Sequence, residues 1–403
     1  MDILIKNAKI LDGSGSAAYC GSVGIRDGKL VLNNLPDTAI EVIDAADKYL
    51  APGFIDVHSH GDELIGGASF GDLCKVNQGV TTQIGGQCGV SAAPTTAAYR
   101  QDTVVAQAAM NQELLARREA GLSWPEYAEF VRSVPKVTNF KLFVGFNAIR
   151  IAAMGYADRA PTEAELNHMK AMLKEAMEAG AVGMSSGLAY VPGTYAKTEE
   201  IIELCKVIAP YGGIYATHMR NESKDLLNSV RETITIGREA GVKVHISHFK
   251  VMGQDYWGNH KAAIEAIEQA QAEGVDITCD QYPYNCSMTI YTPCMPPWYF
   301  TEGTEALVDK LHDPALRAKI RAEMEDPKSD YENFYRNSGG WEGVTFCFCP
   351  NTPEAEGKRL GQSKDGEWIY SLNFETEPLS QDKGYLTAKS DAEKLKDKIK
   401  ITK

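Results

Sequence analysis

The sequence contains no apolar stretch that approaches the roughly 20 residues of a membrane-spanning helix. Basic residues are fewer than acidic ones: the chain has 41 lysines and arginines and 54 aspartates and glutamates, and its formal net charge is −13. This acidic balance disfavours binding to nucleic acids or to anionic membranes. The opening segment, MDILIKNAKILDG, alternates apolar and polar residues, which is typical of a strand and not of a secretory signal. We therefore expect a cytoplasmic protein without nucleic-acid or membrane partners.

The cysteines show no paired spacing that is typical of metal ligands. The chain has nine of them, an odd number, among 403 residues without secretory features. We interpret them as reduced thiols and not as a disulfide framework.

Hydrophobic residues make up 44% and charged residues 24% of the chain, a composition that can bury a large core. The length suggests more than one domain, although one barrel can occupy most of a chain of this size.

The first part of the sequence, residues 1–51, has the pattern of a small β domain. Ile3 and Ile5 alternate with polar neighbours. Asp27-Gly28 is the kind of dipeptide that joins the two strands of a hairpin. We therefore predict a small sheet that precedes a larger domain.

From residue 52 onward, short apolar strands alternate with amphipathic helices. Thr162 followed by Glu165 is a capping-box pattern that marks the start of one helix. Repeated strand–helix units imply a parallel sheet, and seven such units predict an α/β fold with a TIM-like (β/α) barrel. We place the barrel at residues 52–379 and interpret residues 380–403, which are rich in Lys and Asp, as a charged tail. The predicted strands are 53–58, 80–85, 140–146, 181–186, 214–218, 243–248 and 275–280, and 343–348 could hold one more.

Several residues that can bind metals stand at the ends of these strands. His58 and His60 are two residues apart, so on an extended segment both side chains face the same way. Cys88 follows the second strand, His218 ends the fifth and His248 ends the sixth. The carboxyl ends of barrel strands meet at one face, where active sites form. Because imidazole and thiolate ligands suit zinc, this pattern predicts a metal site.

The other histidines are expected to be structural. His168 lies on the polar part of a predicted helix, and neither His260 nor His312 ends a strand. His245 is three residues before His248, so we expect it to face the opposite side of its strand, towards the helices.

The order of motifs resembles a known family of enzymes. PGFIDVHSH is similar to the opening of the metal-dependent amidohydrolase superfamily. GVTTQIGGQCGVSAAPT, GAVGMSSGLAYVPGTYAKTEEI, YATHMRNE, VHISHFKVMG and DQYPY follow in turn and resemble the N-acyl-D-amino-acid deacylases, or D-aminoacylases. The resemblance covers roughly residues 1–300 and extends more faintly to about 360. It implies an amidohydrolase barrel, a small β-sandwich begun by the N-terminal residues, and hydrolysis of the amide bond of N-acyl-D-amino acids to a carboxylate and a D-amino acid.

The resemblance also implies roles for the predicted ligands. His58 and His60 would hold the more loosely bound metal. Cys88, His218 and His248 would form a tighter zinc site, with Cys88 in the place where many members of the superfamily have a carbamylated lysine.

A further group of residues would contact the small-molecule substrate if the resemblance holds. Lys250 would face the α-carboxylate of the N-acyl amino acid. Tyr190, together with Tyr282 or Tyr284, would line the substrate pocket and help to polarise the scissile carbonyl. Arg220 would support the same face, or alternatively pair with Glu222.

The chain departs from the family pattern at two places. Phe146 precedes Asn147 where the family tends to have a histidine. The family's metal-binding aspartate, its general base, lies in a Ser-Asp-Gly turn after the eighth strand, and residues 363–366 match this turn only superficially. We therefore expect a C-terminally truncated or divergent member, without the eighth strand unit, whose activity is reduced.

Two alternative functions remain open at this point. One is a hydantoinase or a dihydroorotase, but these typically need a bridging lysine at the end of the fourth strand, which here ends in Met184-Ser185-Ser186. The other is an inactive relic of the family that still binds metal.

Overall fold

The computed structural model of the protein describes residues 1–65, 70–99, 111–290, 292–347 and 356–359. The strands are β1 (Ile3–Ile10), β2 (Tyr19–Arg26), β3 (Lys29–Val31), β4 (Glu41–Asp44), β5 (Tyr49–Leu50), β6 (Phe54–Asp56), β7 (Val80–Gly85), β8 (Asn139–Leu142), β9 (Val144–Gly145), β10 (Gly183–Gly187), β11 (Ile214–His218), β12 (Lys243–Ile246) and β13 (Ile277–Cys279). The helices are α1 (Phe70–Val76), α2 (Gln112–Ala120), α3 (Trp124–Ser133), α4 (Phe146–Met154), α5 (Glu163–Glu178), α6 (Thr198–Ile208), α7 (Leu226–Ala240), α8 (His260–Ala272), α9 (Thr304–Lys310), α10 (Pro314–Glu325) and α11 (Phe334–Asn337).

The N-terminal residues form one five-stranded sheet. Its order is β3-β2-β1-β4, and β5 also pairs with β1. The predicted hairpin is confirmed: Asp27 and Gly28, with φ of 52° and 71°, join β2 to β3 in the left-handed conformation that this turn requires. The buried core of this sheet is small and contains Ala8, Ile10 and Val23. Its membership of a β-sandwich remains a prediction.

All seven strands predicted for the barrel occur, and all of them pair in parallel. One sheet has the order β6-β7-β8 and the other has the order β13-β12-β11-β10-β9. The third predicted strand is interrupted at Phe143, whose N–H donates to Gly85 O at 3.0 Å. The chain therefore leaves one sheet at β8 and enters the next at β9, so the strands follow one another in chain order along a single row.

The two ends of this row approach each other. His58, just after β6, and Asp280, just after β13, are joined by a contact of 3.2 Å between Nδ1 and Oδ2. Within the described residues, however, no hydrogen-bonded ladder connects β6 to β13. Phe54 and Ile55 on β6 are 66% and 60% exposed, which is unusual for apolar residues of a barrel strand. The predicted parallel α/β arrangement is present, and its closure into a barrel remains a prediction.

The possible eighth strand at 343–348 is not formed in the part of it that is described. Thr345 makes a single isolated bridge to Arg359, and no strand includes residues 343–347. Residue 348 and the predicted tail at 380–403 lie outside the described residues.

Helices α5 to α8 alternate with strands β9 to β13, as the pattern of the sequence predicts. Thr162 and Glu165 form the expected capping box at the start of α5. Gly241 ends α7 in the left-handed conformation, with φ of 66°. No helix of the described residues has both the length and the apolar character needed to cross a membrane.

A second hydrophobic cluster follows the strand row. It is built from residues 294–346, with Phe300, Leu307, Ile320 and Phe334 in its interior. This helical segment brings Phe334 within 6.1 Å of the His218 ring, measured between ring centroids. The residues after the last strand therefore contribute to the end of the row that carries the histidines.

A buried ion pair anchors α4 to α6. Arg150 is 0% exposed, and its Nε donates to Glu200 Oε1 at 3.0 Å. Its other nitrogens donate to the carbonyl oxygens of Ala157 and Arg159. Each of the three guanidinium nitrogens thus donates a hydrogen bond, which offsets part of the cost of burying the charge.

We predict that Glu200→Ala lowers the free energy of unfolding by about 3–5 kcal/mol, because it leaves the Arg150 charge buried without its partner. Glu199→Ala is the matched control, since Glu199 is exposed in the same helical turn. Urea unfolding followed by circular dichroism measures both variants. Equal losses for the two would contradict the prediction.

Candidate metal centre

The five predicted ligands lie together at the carboxyl ends of the strands. Cys88 Sγ is 3.4 Å from His58 Nε2 and 3.5 Å from His248 Nε2. The His218 and His248 rings are 4.4 Å apart and the His58 and His60 rings 5.6 Å apart, measured between centroids. The possible ligand atoms of His58, Cys88 and His248 all lie within 4.8 Å of one another.

The loop that carries Cys88 is held by its neighbours. Cys88 itself has φ of 54°, in the left-handed region that few non-glycine residues adopt. Gly89 N donates to Ser185 Oγ at 3.0 Å, and the Ser185 hydroxyl donates to Gly86 O. A Cβ on Gly187 would overlap Cys88 O, so the glycine at the end of β10 allows the two backbones to approach closely. These contacts set the position of the thiol.

His218 has unused hydrogen-bonding capacity. The residue is only 3% exposed, and neither ring nitrogen has a hydrogen-bond partner among the described residues. Glu222 Oε2 lies 3.7 Å from Nε2, and the Cys88 thiol is also a neighbour of the ring. A buried imidazole without a partner is costly, and metal coordination would supply the missing interaction. The donor set therefore fits a zinc ion.

A buried carboxylate supports His248 from behind. Glu222 is 0% exposed, and its Oε1 accepts a hydrogen bond from His248 Nδ1 at 2.9 Å. Because Nδ1 faces Glu222, the other ring nitrogen, Nε2, faces Cys88. A carboxylate behind a ligating imidazole is a common arrangement in metal sites, where it orients the ring.

The charges of the cluster are strongly coupled. Burial alone would raise the pKa of Cys88, but the His58 and His248 cations lower it well below its usual value. Burial opposes protonation of the two imidazoles, while the Cys88 thiolate and nearby carboxylates raise the pKa of His58 to about 10 and that of His248 to about 9. These directions favour a Cys88 thiolate beside protonated His58 and His248 in the metal-free cluster, whereas burial lowers the pKa of His218 and favours its neutral ring. A bound cation would displace the protons of His58 and His248.

Lys250, predicted to meet the substrate carboxylate, lies beside this cluster. Its Nζ is hydrogen-bonded to Glu222 Oε2 and lies 3.1 Å from His248 Nδ1. It also lies 5.6 Å from the centroid of the Tyr282 ring. A substrate carboxylate would therefore have to share the ammonium group with Glu222.

Arg220 pairs with Glu232 and not with Glu222, the partner suggested by the sequence. Its guanidinium donates to Glu232 at 2.8 and 3.0 Å, and not to Glu222. It also donates to the carbonyl oxygens of Thr194 and Ala196. Arg220 thus ties together the loop that follows Tyr190.

The three tyrosines differ in their distance from the cluster. The Tyr190 ring is 4.7 Å from that of His218, and its hydroxyl is 2.8 Å from Thr289 Oγ1. The Tyr282 ring is 6.5 Å from the His248 ring. Tyr284 is 72% exposed and stacks on Tyr282. The substrate roles of all three remain predictions.

Sequence reasoning missed several residues at this site. The expectation that His245 faces away is wrong, because its Nε2 contacts Asp280 Oδ2 at 2.8 Å, the same oxygen that contacts His58. Asp280 ends the seventh predicted strand, so the rule that selected the histidines could have found it. Glu222 lies four residues after His218 in YATHMRNE. Phe334 comes from a distant segment and gave no signal.

A second buried carboxyl group lies behind Glu222. Glu332 is 6% exposed, and it accepts hydrogen bonds from Ser223 Oγ at 2.8 Å and from the N–H of Glu222 at 3.4 Å. Burial raises the pKa of Glu332 from 4.5 to about 7. The folded protein therefore holds this proton more tightly than the unfolded chain does.

We predict that this group makes stability fall as the pH rises. The protonated Glu332 stabilises the fold fully below pH 4.5, and this stabilisation is lost as the pH rises to about 7. The free energy of unfolding should fall by up to about 3 kcal/mol over this range. Glu332→Gln should reduce the loss of stability between pH 5 and pH 8, whereas Glu305→Gln, at an exposed position, should leave it unchanged. Urea unfolding at pH 5 and pH 8 in the presence of a chelator measures the slope. An unchanged slope in Glu332→Gln would refute the assignment.

Comparison with known proteins places these features in a family. A profile described as Amidohydrolase family matches residues 41–322. D-aminoacylase of Alcaligenes xylosoxydans xylosoxydans is 36% identical over 296 residues, which are 72% of this chain and 58% of that protein. N-acyl-D-glutamate deacylase of the same organism is 35% identical over 297 residues, 73% of this chain and 59% of that protein. The chain thus spans less than three fifths of the length of either curated relative.

Solved structures agree with the sequence comparisons. N-acyl-D-glutamate deacylase from Bordetella bronchiseptica, complexed with zinc and a phosphonate inhibitor, matches with a TM-score of 0.63 and 37% identity, over 72% of this chain and 60% of that one. A D-aminoacylase structure matches with a TM-score of 0.68 and 29% identity, over 90% of this chain and 66% of that one. The chain belongs to the amidohydrolase family, within which it resembles the D-aminoacylases.

Proposed function

We propose that the protein is a zinc-dependent hydrolase that cleaves the amide bond of N-acyl-D-amino acids to give a carboxylate and a D-amino acid. The observation that carries the proposal is the convergence of Cys88, His58 and His248 beside His218, whose buried ring nitrogens lack partners among the described residues. Its relatives support the substrate class, since they are named D-aminoacylase, N-acyl-D-aspartate deacylase and N-acyl-D-glutamate deacylase.

The metal ligands divide into two groups in this proposal. Cys88, His218 and His248 would hold one zinc ion firmly, and His58 and His60 would hold a second ion more weakly. A related D-aminoacylase structure is described as having a binuclear metal centre, which is consistent with two ions. When bound, zinc supplies Lewis acidity that polarises a carbonyl group and makes water more acidic.

The residues of the chain would supply binding and orientation. Glu222 holds the His248 ring with Nε2 towards the cluster and neutralises Lys250. Lys250 would pair with the substrate's α-carboxylate, and Tyr190 and Tyr282 would form the walls beside the scissile amide. We assign no proton acceptor, because residues 363–366, the segment compared with the family's Ser-Asp-Gly turn, lie outside the described residues.

The alternative of a hydantoinase or a dihydroorotase is less favoured by the site. A bridging lysine would be needed at the end of the fourth barrel strand. That strand is β10, and it ends in Ser185, Ser186 and Gly187, all of them buried. The Ser185 hydroxyl is used to hold the Cys88 loop. The other alternative, a metal-binding relic without activity, is one outcome of the test below.

We predict that Cys88→Ala lowers zinc affinity and deacylase activity by more than about 100-fold, since even an outer-shell partner of a metal ligand is worth about 10- to 100-fold. Cys205→Ala is the matched control, because Cys205 is equally buried but lies in α6 away from the cluster. Zinc content is measured by atomic emission. Turnover is measured on N-acetyl-D-methionine, N-acetyl-D-aspartate, N-acetyl-D-glutamate and their L-enantiomers.

The outcomes separate the candidate functions. Hydrolysis of a D-substrate that disappears with the zinc supports the proposal. Zinc that binds through Cys88 while none of the N-acyl amino acids is hydrolysed would favour the metal-binding relic. Zinc content that is unchanged in Cys88→Ala would contradict the proposed ligand set.

A further inference from the structure

One carboxylate contacts three histidines at the end of the strand row. Asp280 Oδ2 lies 3.2 Å from His58 Nδ1 and 2.8 Å from His245 Nε2. Its Oδ1 accepts the backbone N–H of His248 at 2.7 Å. The Asp280 side chain is only 12% exposed. Two of the three histidines are predicted metal ligands, and they come from segments almost 200 residues apart in the sequence.

We propose that Asp280 is a positioning residue that holds the two halves of the metal centre together, by fixing the ring of His58 and the backbone of His248. The inference rests on the metal site proposed above and does not depend on which substrate the protein takes.

The hydrogen bond to His58 selects which ring nitrogen faces the metal site. An ionised carboxylate can only accept hydrogen bonds, so His58 Nδ1 must carry the hydrogen atom. In the neutral ring that a metal ion requires, Nε2 has the lone pair, and it is this atom that lies 3.4 Å from Cys88 Sγ. Asp280 therefore presents His58 in the tautomer that can bind a cation together with Cys88.

The second oxygen of Asp280 acts on the backbone of the other half of the site. His248 has φ of 38°, a conformation that is unfavourable for a residue with a Cβ. The bond from its N–H to Asp280 Oδ1 helps to hold this turn. Asp280 itself is fixed by its backbone, since its N–H donates to Ile246 O at 3.1 Å and its carbonyl oxygen accepts from Phe249 N at 2.8 Å. The carboxylate thus projects from a rigid pair of strand ends.

His245 supports the same carboxylate from the other side. Its Nδ1 lies 2.8 Å from Thr278 Oγ1, so the threonine hydroxyl can donate to Nδ1 while Nε2 donates to Asp280. This arrangement uses a lone pair of Oδ2 that His58 leaves free and holds the carboxylate in one orientation. It also explains why a histidine that is not itself a predicted ligand is placed beside the site.

Asp280 also connects the two ends of the strand row. Strands β6 and β13 share no hydrogen-bonded ladder within the described residues, and the contact between His58 and Asp280 spans this gap. The contact that orients His58 is therefore also a contact between the first and last strands of the row.

The test is Asp280→Asn, which keeps the shape of the side chain but replaces one acceptor oxygen with a donor. If the amide oxygen stays on the His248 N–H, the amide nitrogen donates to His58 Nδ1, and the hydrogen of His58 moves to Nε2, where it blocks coordination. If the amide is reversed, the bond to His248 is lost. Either orientation should weaken zinc binding by about 10- to 100-fold.

Zinc affinity is measured by competition between the apoprotein and a chromophoric chelator, so the measurement needs no enzyme activity. Asp276→Asn is the matched control, because Asp276 lies just before the same strand at its opposite end and its side chain is 59% exposed. Zinc affinity of Asp280→Asn equal to that of the unmodified protein would overturn the proposal. Weaker zinc binding by Asp280→Asn in a protein that hydrolyses no N-acyl-D-amino acid would leave this inference standing while the proposed function fails.

A double-mutant cycle distinguishes positioning from a general structural role. If Asp280 acts mainly through His58, then Asp280→Asn should cost much less zinc affinity in a His58→Ala background than it does alone. Equal losses in both backgrounds would refute the positioning role of the His58 bond.

A measurement on the unmodified protein covers the case in which Asp280→Asn does not fold. Nitrogen NMR of the zinc-loaded protein, labelled only in its eight histidines, reports the tautomer of each ring. The His58→Ala variant identifies the His58 signals. We expect His58 with its hydrogen on Nδ1, and a hydrogen on Nε2 would overturn the proposal.

Discussion

The rest of the site depends on where the Cys88 thiol lies. The loop that carries it reaches across strand ends at a place where Gly89 and Gly187 let backbones touch, and the Ser185 hydroxyl holds the loop there. Because the thiol is buried, its charge has to be balanced by cations close to it. His58 and His248 meet this requirement from opposite parts of the strand row, so one buried sulfur gathers groups that are far apart in the sequence.

Burying so many ionisable groups creates a need for further partners. Glu222 balances His248 and Lys250, and Asp280 balances His58 on the other side of the cluster. Behind them, the segment after the last strand adds Glu332 next to the backbone of Glu222. The functional end of the fold is thus a network of charge pairs, in which Glu222 contacts the His248 ring and Asp280 contacts the His58 ring.

The strand row was largely predictable, because each strand and helix has a local hydrophobic pattern in the sequence. The alternation of short apolar segments with amphipathic segments predicted seven strands, and all seven are present. The break at Phe143 was not predictable, since it arises where the chain passes from one sheet to the next. In the described part of the suggested strand at 343–348, Thr345 makes only an isolated bridge to Arg359, so the apolar pattern of this segment did not predict its structure.

By itself, the sequence determined the family, the order of the strands and the set of candidate ligands, because ligands at the carboxyl ends of parallel strands must converge on one face. Only the tertiary structure decided how the charges pair: Arg220 with Glu232, Lys250 with Glu222, and Asp280 with both His58 and His245. The reason is physical. Strand periodicity states which way a side chain points, whereas an ion pair depends on distances between segments that are set by the twist and curvature of the whole sheet.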